Sequence, residues 1–118
     1  MKKNVIRGAV AAALALAVFT AMALSMPAWA AETVVKIDNF TFNPARVTVE
    51  AGTTVTWENG DDIPHAIAST TRLFKSKALD TDDKFSFTFA TAGSYPYFCA
   101  LHPHMTGTIV VEANNGKS

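Results

Sequence analysis

The chain has very little cysteine and histidine: one Cys and three His occur in 118 residues. A single cysteine cannot close an internal disulfide, so the sequence excludes the disulfide-stapled class of small exported domains. An excess of positive charge is also missing, because ten Lys and Arg face ten Asp and Glu. A balanced composition lacks the basic surface that nucleic-acid binding requires. We therefore expect no nucleic-acid partner.

Long apolar runs are missing as well, except at the N-terminus. Lys2, Lys3 and Arg7 precede an Ala/Leu/Val-rich stretch over residues 8–26, and Ala28-Trp29-Ala30 fits a small-x-small cleavage signal. This order of features predicts a signal peptide over residues 1–30, cleaved on export to the periplasm. A retained membrane anchor is the alternative, because the stretch is almost long enough to span a bilayer. We expect cleavage and no stable anchor.

The rest of the chain fits one small domain. Residues 1–30 hold three basic and no acidic residues, so their removal leaves a net charge of −3. We assign residues 31–113 to the domain and residues 114–118, which are polar, to a flexible tail. Metal binding can supply the stabilisation that a small domain without disulfides lacks. We expect this domain to be a monomer.

Short stretches of β-forming residues recur through the domain, with turn residues between them. The predicted strands cover residues 34–40, 46–50, 53–58, 84–89, 94–98 and 106–112, with a further short strand opening at His65. Phe85, Phe87 and Phe89 alternate along one strand and are predicted to line the core. Residues 73–83 have no decisive pattern. About seven short strands without a long helical period predict an all-β, antiparallel sandwich.

The one cysteine lies among other metal donors, in the run Cys99-Ala100-Leu101-His102-Pro103-His104-Met105. A thiolate, two imidazoles and a weak axial thioether form the blue-copper site, which serves both Cu(I) and Cu(II). The trigonal plane needs a second histidine from outside the run, and only His65 is available. Zinc is the alternative metal, because Cys and His also suit tetrahedral zinc.

Two histidines of the run compete for one ligand position. The Cys-x2-His spacing lets a tight turn bring Cys99 and His102 together, whereas a metal-facing His104 would turn its neighbour Met105 away. We therefore predict His102 as the ligand and His104 as a rim residue. A buried core thiol and a core methionine, in a metal-free interaction module, are the alternative interpretation of Cys99 and Met105.

Residues 57–65 (Trp-Glu-Asn-Gly-Asp-Asp-Ile-Pro-His) and 95–105 (Tyr-Pro-Tyr-Phe-Cys-Ala-Leu-His-Pro-His-Met) resemble the two ligand segments of cupredoxins. The Cys-x2-His-x2-Met spacing is most similar to that of amicyanins, since plastocyanins and pseudoazurins have a longer gap before the methionine. The resemblance covers essentially the whole domain. It implies a Greek-key β-sandwich with one type 1 copper, held by His65, Cys99 and His102 as equatorial ligands and Met105 as the axial ligand.

Two positions depart from the cupredoxin pattern. Ala66 follows the first ligand histidine, where an asparagine side chain commonly ties the ligand loops together, and this tether should be missing here. His104 stands where amicyanins typically have an apolar residue. Because groups around the ligands tune a metal, we expect a reduction potential particular to this chain.

The family resemblance also implies an electron carrier rather than an enzyme. Four protein donors fill the site, and no Ser/His/Asp set accompanies them, so we expect outer-sphere transfer with an exit at the His102 edge. A small apolar docking patch suits weak redox encounters; its predicted members are Ile63, Pro64, Leu101, Pro103 and His104.

The expected partners are redox proteins, such as a cytochrome, a dehydrogenase or an oxidase. A group of loop aspartates either steers a basic partner or is ordinary solvated charge; its members are Asp61, Asp62, Asp80, Asp82 and Asp83. Copper binding and delivery in the periplasm is the alternative function.

Overall fold

The computed structural model describes residues 32–114, which form eight β-strands and no helix. The strands are β1 Glu32–Asp38, β2 Thr41–Asn43, β3 Arg46–Glu50, β4 Thr53–Asn59, β5 Ile67–Ser69, β6 Lys84–Phe89, β7 Gly93–Cys99 and β8 His102–Glu112. No helix in this part of the chain could cross a membrane. The predicted signal peptide and most of the predicted tail lie outside the described residues; Asn114 is exposed and outside any strand.

The strands form two four-stranded sheets, with the orders β2-β1-β4-β6 and β3-β8-β7-β5. The predicted all-β sandwich is confirmed. Pairing within the sheets is mixed, because β1 runs parallel to β4 and β3 runs parallel to β8. The chain changes sheets between β2 and β3 and again between β3 and β4. These crossings bring β1 beside β4 and β3 beside β8 in parallel. Alternation of residues within a strand does not reveal which strands will be neighbours.

Three strand boundaries near the predicted site differ from the prediction. β1 ends at Asp38 rather than residue 40, because Asn39 and Phe40 turn the chain with positive φ angles, and β2 then pairs back onto β1. His65 does not open a strand: it makes an isolated bridge to Leu79, and β5 begins two residues later. β8 begins at His102, which the sequence places in a loop.

The core lies between the sheets and is built from alternating positions of the strands. Trp57 is fully buried at its centre, with Phe74 stacked on it and Tyr97 packed edge-on. The predicted phenylalanine face of β6 is confirmed: Phe89 is buried, and Phe85 and Phe87 are partly buried against the core. Burial of this apolar area is the main favourable contribution to folding.

Residues 70–83, which include the stretch 73–83 that had no decisive pattern, run back beside residues 65–69. The two segments exchange backbone hydrogen bonds, including Leu79 N–H to His65 O at 2.7 Å and Ser76 N–H to Ile67 O at 2.8 Å. Phe74 and Leu79 insert into the core from this segment. The segment therefore covers the edge strand β5 and holds the backbone of His65 in place.

Candidate metal centre

Three predicted ligands converge at one end of the sandwich. The donor atoms of His65, Cys99 and His102 lie within 4.8 Å of one another. Cys99 Sγ is 3.7 Å from His65 Nδ1 and 3.8 Å from His102 Nδ1. The ring centroids of the two histidines are 5.0 Å apart. His65 lies 34 positions from Cys99 in the sequence and His102 only three, yet both turn their Nδ1 atom toward the same sulfur.

A hairpin explains the close approach of Cys99 and His102. These residues are direct partners at the end of the β7–β8 ladder, so only Ala100 and Leu101 form the turn. Directly opposite residues of an antiparallel pair project to the same side. Phe98, which precedes Cys99 in β7, pairs with Thr106. Residues 103–105 therefore form a bulge in β8. Bulges re-aim side chains beside functional sites, and this one resets the alternation between His102 and the buried Met105.

The separations between donors fit a single metal ion bound by all three. A metal–sulfur bond of about 2.3 Å and a metal–nitrogen bond of about 2.0 Å, as found for zinc, place sulfur and nitrogen about 3.7 Å apart at a trigonal angle and about 3.5 Å apart at a tetrahedral angle. The observed separations, 3.7 and 3.8 Å, lie close to both values, so Cys99 and the two histidines fit around one metal ion. A thiolate and two imidazoles in a plane are the equatorial set of blue-copper proteins.

Asp61 fixes the orientation of His65. Its Oδ2 atom lies 2.8 Å from His65 Nε2, and the same carboxylate accepts the backbone N–H groups of Asn39 at 2.7 Å and Phe40 at 3.0 Å. A carboxylate on one ring nitrogen holds the proton there and leaves the other nitrogen free to bind a metal. Asp61 is therefore a hydrogen-bond partner of a candidate ligand histidine, a role that neither interpretation of the loop aspartates included.

The electrostatics of Asp61 follow from these contacts. Desolvation by burial raises the pKa of its carboxyl, but hydrogen bonds from the Phe40 and Asn39 amides and from His65 outweigh that effect and lower the pKa below 3.8. Hydrogen bonds to a carboxylate favour its charged form. Asp61 therefore stays ionised beside His65 at neutral pH.

Asn59 organises the loop that carries Asp61 and His65. Its side chain is fully buried and donates to the Ile63 and Leu79 carbonyls, both at 2.9 Å. Its Oδ1 atom accepts the backbone N–H of Asp61 at 2.9 Å. An asparagine that bonds the backbone two residues on forms an Asx-turn. The Asn-Gly-Asp sequence carries this turn signal, yet it does not show which way the following carboxylate points.

The backbone of Ala66 joins the two ligand loops. Its N–H donates to Cys99 Sγ at 3.4 Å, and its carbonyl accepts the Ala100 N–H at 3.1 Å. The expected side-chain tether is absent because residue 66 is alanine. Two backbone hydrogen bonds still connect the loops, and the first of them places a donor on the sulfur.

Phe40 is a site residue that strand patterns did not indicate. Its ring packs edge-on against both histidines, with centroids 5.5 Å from His65 and 5.1 Å from His102. Its side chain is nevertheless 47% exposed. An aromatic residue in a predicted strand is usually assigned to the core, so only the turn at Asn39 and Phe40 reveals this position.

The other predicted site residues divide by burial. Met105 is buried in the same apolar cluster as Cys99. His104 is exposed, and so are Pro64, Leu101 and Pro103, while Ile63 is partly buried. The structure thus brings three predicted ligands together and leaves the predicted patch residues at the surface.

Comparison with known proteins agrees with this geometry. Residues 9–111 match the model of the cupredoxin-like domain family. The chain belongs to the cupredoxin family. It is 38% identical over 84 residues to amicyanin of Paracoccus versutus, covering 67% of this chain and 64% of that protein. It is 34% identical over 118 residues to amicyanin-alpha of Methylorubrum extorquens, covering 88% of this chain and 98% of that protein.

Solved cupredoxin structures share the fold. The crystal structure of Paracoccus versutus amicyanin has a TM-score of 0.64 and 36% identity, covering 75% of this chain and 86% of that chain. A purple cupredoxin from Nitrosopumilus maritimus has a TM-score of 0.64 and 32% identity, covering 68% of this chain and 99% of that chain. Other amicyanin structures of similar likeness are Cu(I) forms.

Proposed function

We propose that this cupredoxin is a periplasmic electron carrier with one type 1 copper ion. His65, Cys99 and His102 are the proposed equatorial ligands, and Met105 is the proposed axial ligand. The observation that carries the proposal is the triangle of one sulfur and two nitrogens, with sulfur–nitrogen separations of 3.7 and 3.8 Å. Copper, when bound, supplies a one-electron Cu(I)/Cu(II) couple.

The residues around the triangle favour a carrier over a delivery protein. His65 and Cys99 are fully buried. Asp61 bonds the His65 ring, and the Ala66 N–H donates to the Cys99 sulfur. A site whose donors are held in place changes little between oxidation states and releases its metal slowly. Copper delivery instead needs donors that a recipient protein can reach, and of the three equatorial candidates only His102 is partly exposed.

Electrons are proposed to leave by outer-sphere transfer through the His102 ring, in the middle of a weak docking patch. The patch consists of Ile63, Pro64, Leu101, Pro103 and His104, and we add Phe40. Leu101 is 48% exposed and Phe40 is 47% exposed, so both apolar side chains are accessible to a partner. The proposed partners are redox proteins such as a cytochrome, a dehydrogenase or an oxidase.

Export is proposed from the sequence of residues 1–30, with its basic start, apolar stretch and Ala-x-Ala end. The periplasm favours disulfide formation. The thiol of Cys99 is nevertheless not consumed by an internal disulfide there, because the sequence has no second cysteine. Mass spectrometry of the protein recovered from the periplasm should find a mature chain that begins at residue 31. A full-length chain in the membrane fraction would contradict this.

One experiment tests the metal proposal. The purified mature protein with one equivalent of Cu(II) should turn intensely blue through thiolate-to-copper charge transfer, and it should bleach on reduction. Cys99→Ser should abolish the colour, whereas His104→Ala should keep it. A colourless wild-type protein, or one in which zinc displaces copper, would refute a type 1 copper carrier.

A second measurement separates the carrier from the delivery protein. The reduced protein is mixed with an oxidised cytochrome c in one experiment and with a Cu(I) chelator in another. A carrier should pass its electron to the cytochrome much faster than it loses copper to the chelator. The reverse order would favour delivery.

A further inference from the structure

Phe40 has an unusual combination of properties. Its φ angle is +59°, in the left-handed region that a bulky side chain rarely adopts. Its large apolar ring is also 47% exposed. Strained backbone persists where surrounding contacts enforce it, and such positions cluster at functional sites. The strained backbone at Phe40 therefore needs compensating contacts.

The compensating contacts lead to the metal centre. The Phe40 ring meets both imidazoles nearly at right angles, with interplanar angles of 90° to His65 and 84° to His102. Edge-to-face packing at this distance is a favourable aromatic geometry. The ring therefore packs against both nitrogen ligands on the surface side of the site.

Asp61 connects the turn of Phe40 to the same site. One carboxylate accepts the N–H groups of Asn39 and Phe40 and also bonds His65 Nε2. Asn39 has a positive φ of 52°, so both turn residues are held in the left-handed region at this carboxylate. The backbone that carries the Phe40 ring is thus held by the group that orients His65.

The two histidines differ in how many other contacts hold their imidazoles in place. His65 is fully buried and is held by Asp61 and by the Leu79 backbone. His102 is partly exposed, and within residues 32–114 no carboxylate or carbonyl bonds its ring. The Phe40 ring, with its centroid 5.1 Å away, packs directly against the His102 imidazole.

We propose that Phe40 is a positioning residue that holds the His102 imidazole in its metal-facing rotamer, with Asp61 setting the place of the ring. This inference rests on the proposed copper site for its consequence, slow copper loss. Its structural part, the restricted His102 ring, applies to the metal-free protein as well.

The test compares Phe40→Gly with Asn39→Gly. Both substitutions remove a side chain at a positive φ that glycine accepts freely, and only the first removes the ring from the imidazoles. Leu73→Ala is a further control for the loss of an exposed apolar side chain, since Leu73 is 49% exposed. Phe40→Tyr retains the ring and should behave as the wild type.

The first readout needs no metal. Proton NMR of the metal-free wild-type protein should show ring-current shifts on the His102 imidazole. In Phe40→Gly these shifts should vanish, and the His102 signals should show averaging between rotamers. The second readout is copper loss from the Cu(I)-loaded protein to a chelator. Partners that orient metal ligands change affinity by about 10-fold to 100-fold, and we expect Phe40→Gly to lose copper at least about 10-fold faster.

Each outcome bears on a different proposal. An unchanged His102 spectrum and an unchanged rate of copper loss in Phe40→Gly would overturn the positioning role. Equal effects in Asn39→Gly would also overturn it, because they would assign the effect to the turn rather than to the ring. A wild-type protein that stays colourless with Cu(II) would instead refute the proposed function, while the metal-free NMR comparison would still test Phe40.

Discussion

The two candidate nitrogen donors, His65 and His102, have the same chemistry and opposite surroundings. His65 is fully buried, its ring bonds Asp61, and its backbone exchanges hydrogen bonds with Leu79. His102 is partly exposed and follows a two-residue hairpin turn whose Leu101 is half in solvent. One donor is fixed by the sandwich, and the other lies at its surface.

This difference suits the proposed electron carrier, whose site would hold a metal and exchange electrons with a partner. A rigid scaffold with functional residues on its loops is a common arrangement. Residues 70–83 pack beside the segment that contains His65 and exchange backbone hydrogen bonds with it, and His65 is buried. At the β7–β8 hairpin, by contrast, the turn residues Ala100 and Leu101 are exposed and His102 is only partly buried.

The sharpest way to break the comparison is to remove each imidazole and offer a replacement. His65→Gly and His102→Gly should both lose the blue colour, because each lacks one equatorial donor. Millimolar free imidazole should restore the colour in His102→Gly only, since a cavity at His65 is closed to solvent. Absorbance in the blue band measures both results. Equal recovery in the two variants would show that the burial difference has no functional meaning.

A smaller effect is expected when the support of His65 is removed and its ring is kept. Asp61→Ala should lower copper affinity by about 10-fold to 100-fold, because the carboxylate no longer orients the Nδ1 atom toward the metal. Competition with a copper chelator measures the affinity. Asp62→Ala removes an exposed neighbouring carboxylate and should leave the affinity unchanged. An equal loss in both variants would indicate a general effect of charge.

The smallest expected effect is a pH dependence of stability that comes from Asp61, the hydrogen-bond partner of His65. The pKa of Asp61 in the folded protein lies below its ordinary value of 3.8. Its stabilisation is therefore complete above that value and is lost as the pH falls through the folded-state pKa. Metal-free Asp61→Asn lacks this ionisation, so its melting temperature should fall less than that of the wild type below pH 3.8.

Thermal unfolding of the metal-free proteins between neutral and strongly acidic pH provides the measurement. Asp62→Asn is the matched control, since it removes one exposed carboxylate from the same loop. If Asp61→Asn and the wild type lose stability in parallel as the pH falls, the hydrogen bonds to Asp61 do not matter for folding.

Parts of the fold were accessible from the sequence because they depend on local patterns. Alternation identified the Phe85, Phe87 and Phe89 face, and the resulting core wall is confirmed. The ends of β1 and β8 were missed for a shared reason. The positive φ at Phe40 accompanies contacts with the loop residue Asp61, and the bulge at residues 103–105 depends on pairing with β7; composition records neither.

The sequence by itself determined the donor types, the sandwich class and the convergence of Cys99 with His102. These are properties of residue chemistry and of spacing across one hairpin. Only the tertiary structure decided that Asp61 bonds His65, that Ala66 joins the ligand loops through its backbone, and that Phe40 packs on both imidazoles. The physical reason is that these contacts cross between segments whose relative positions are set by sheet pairing and core packing.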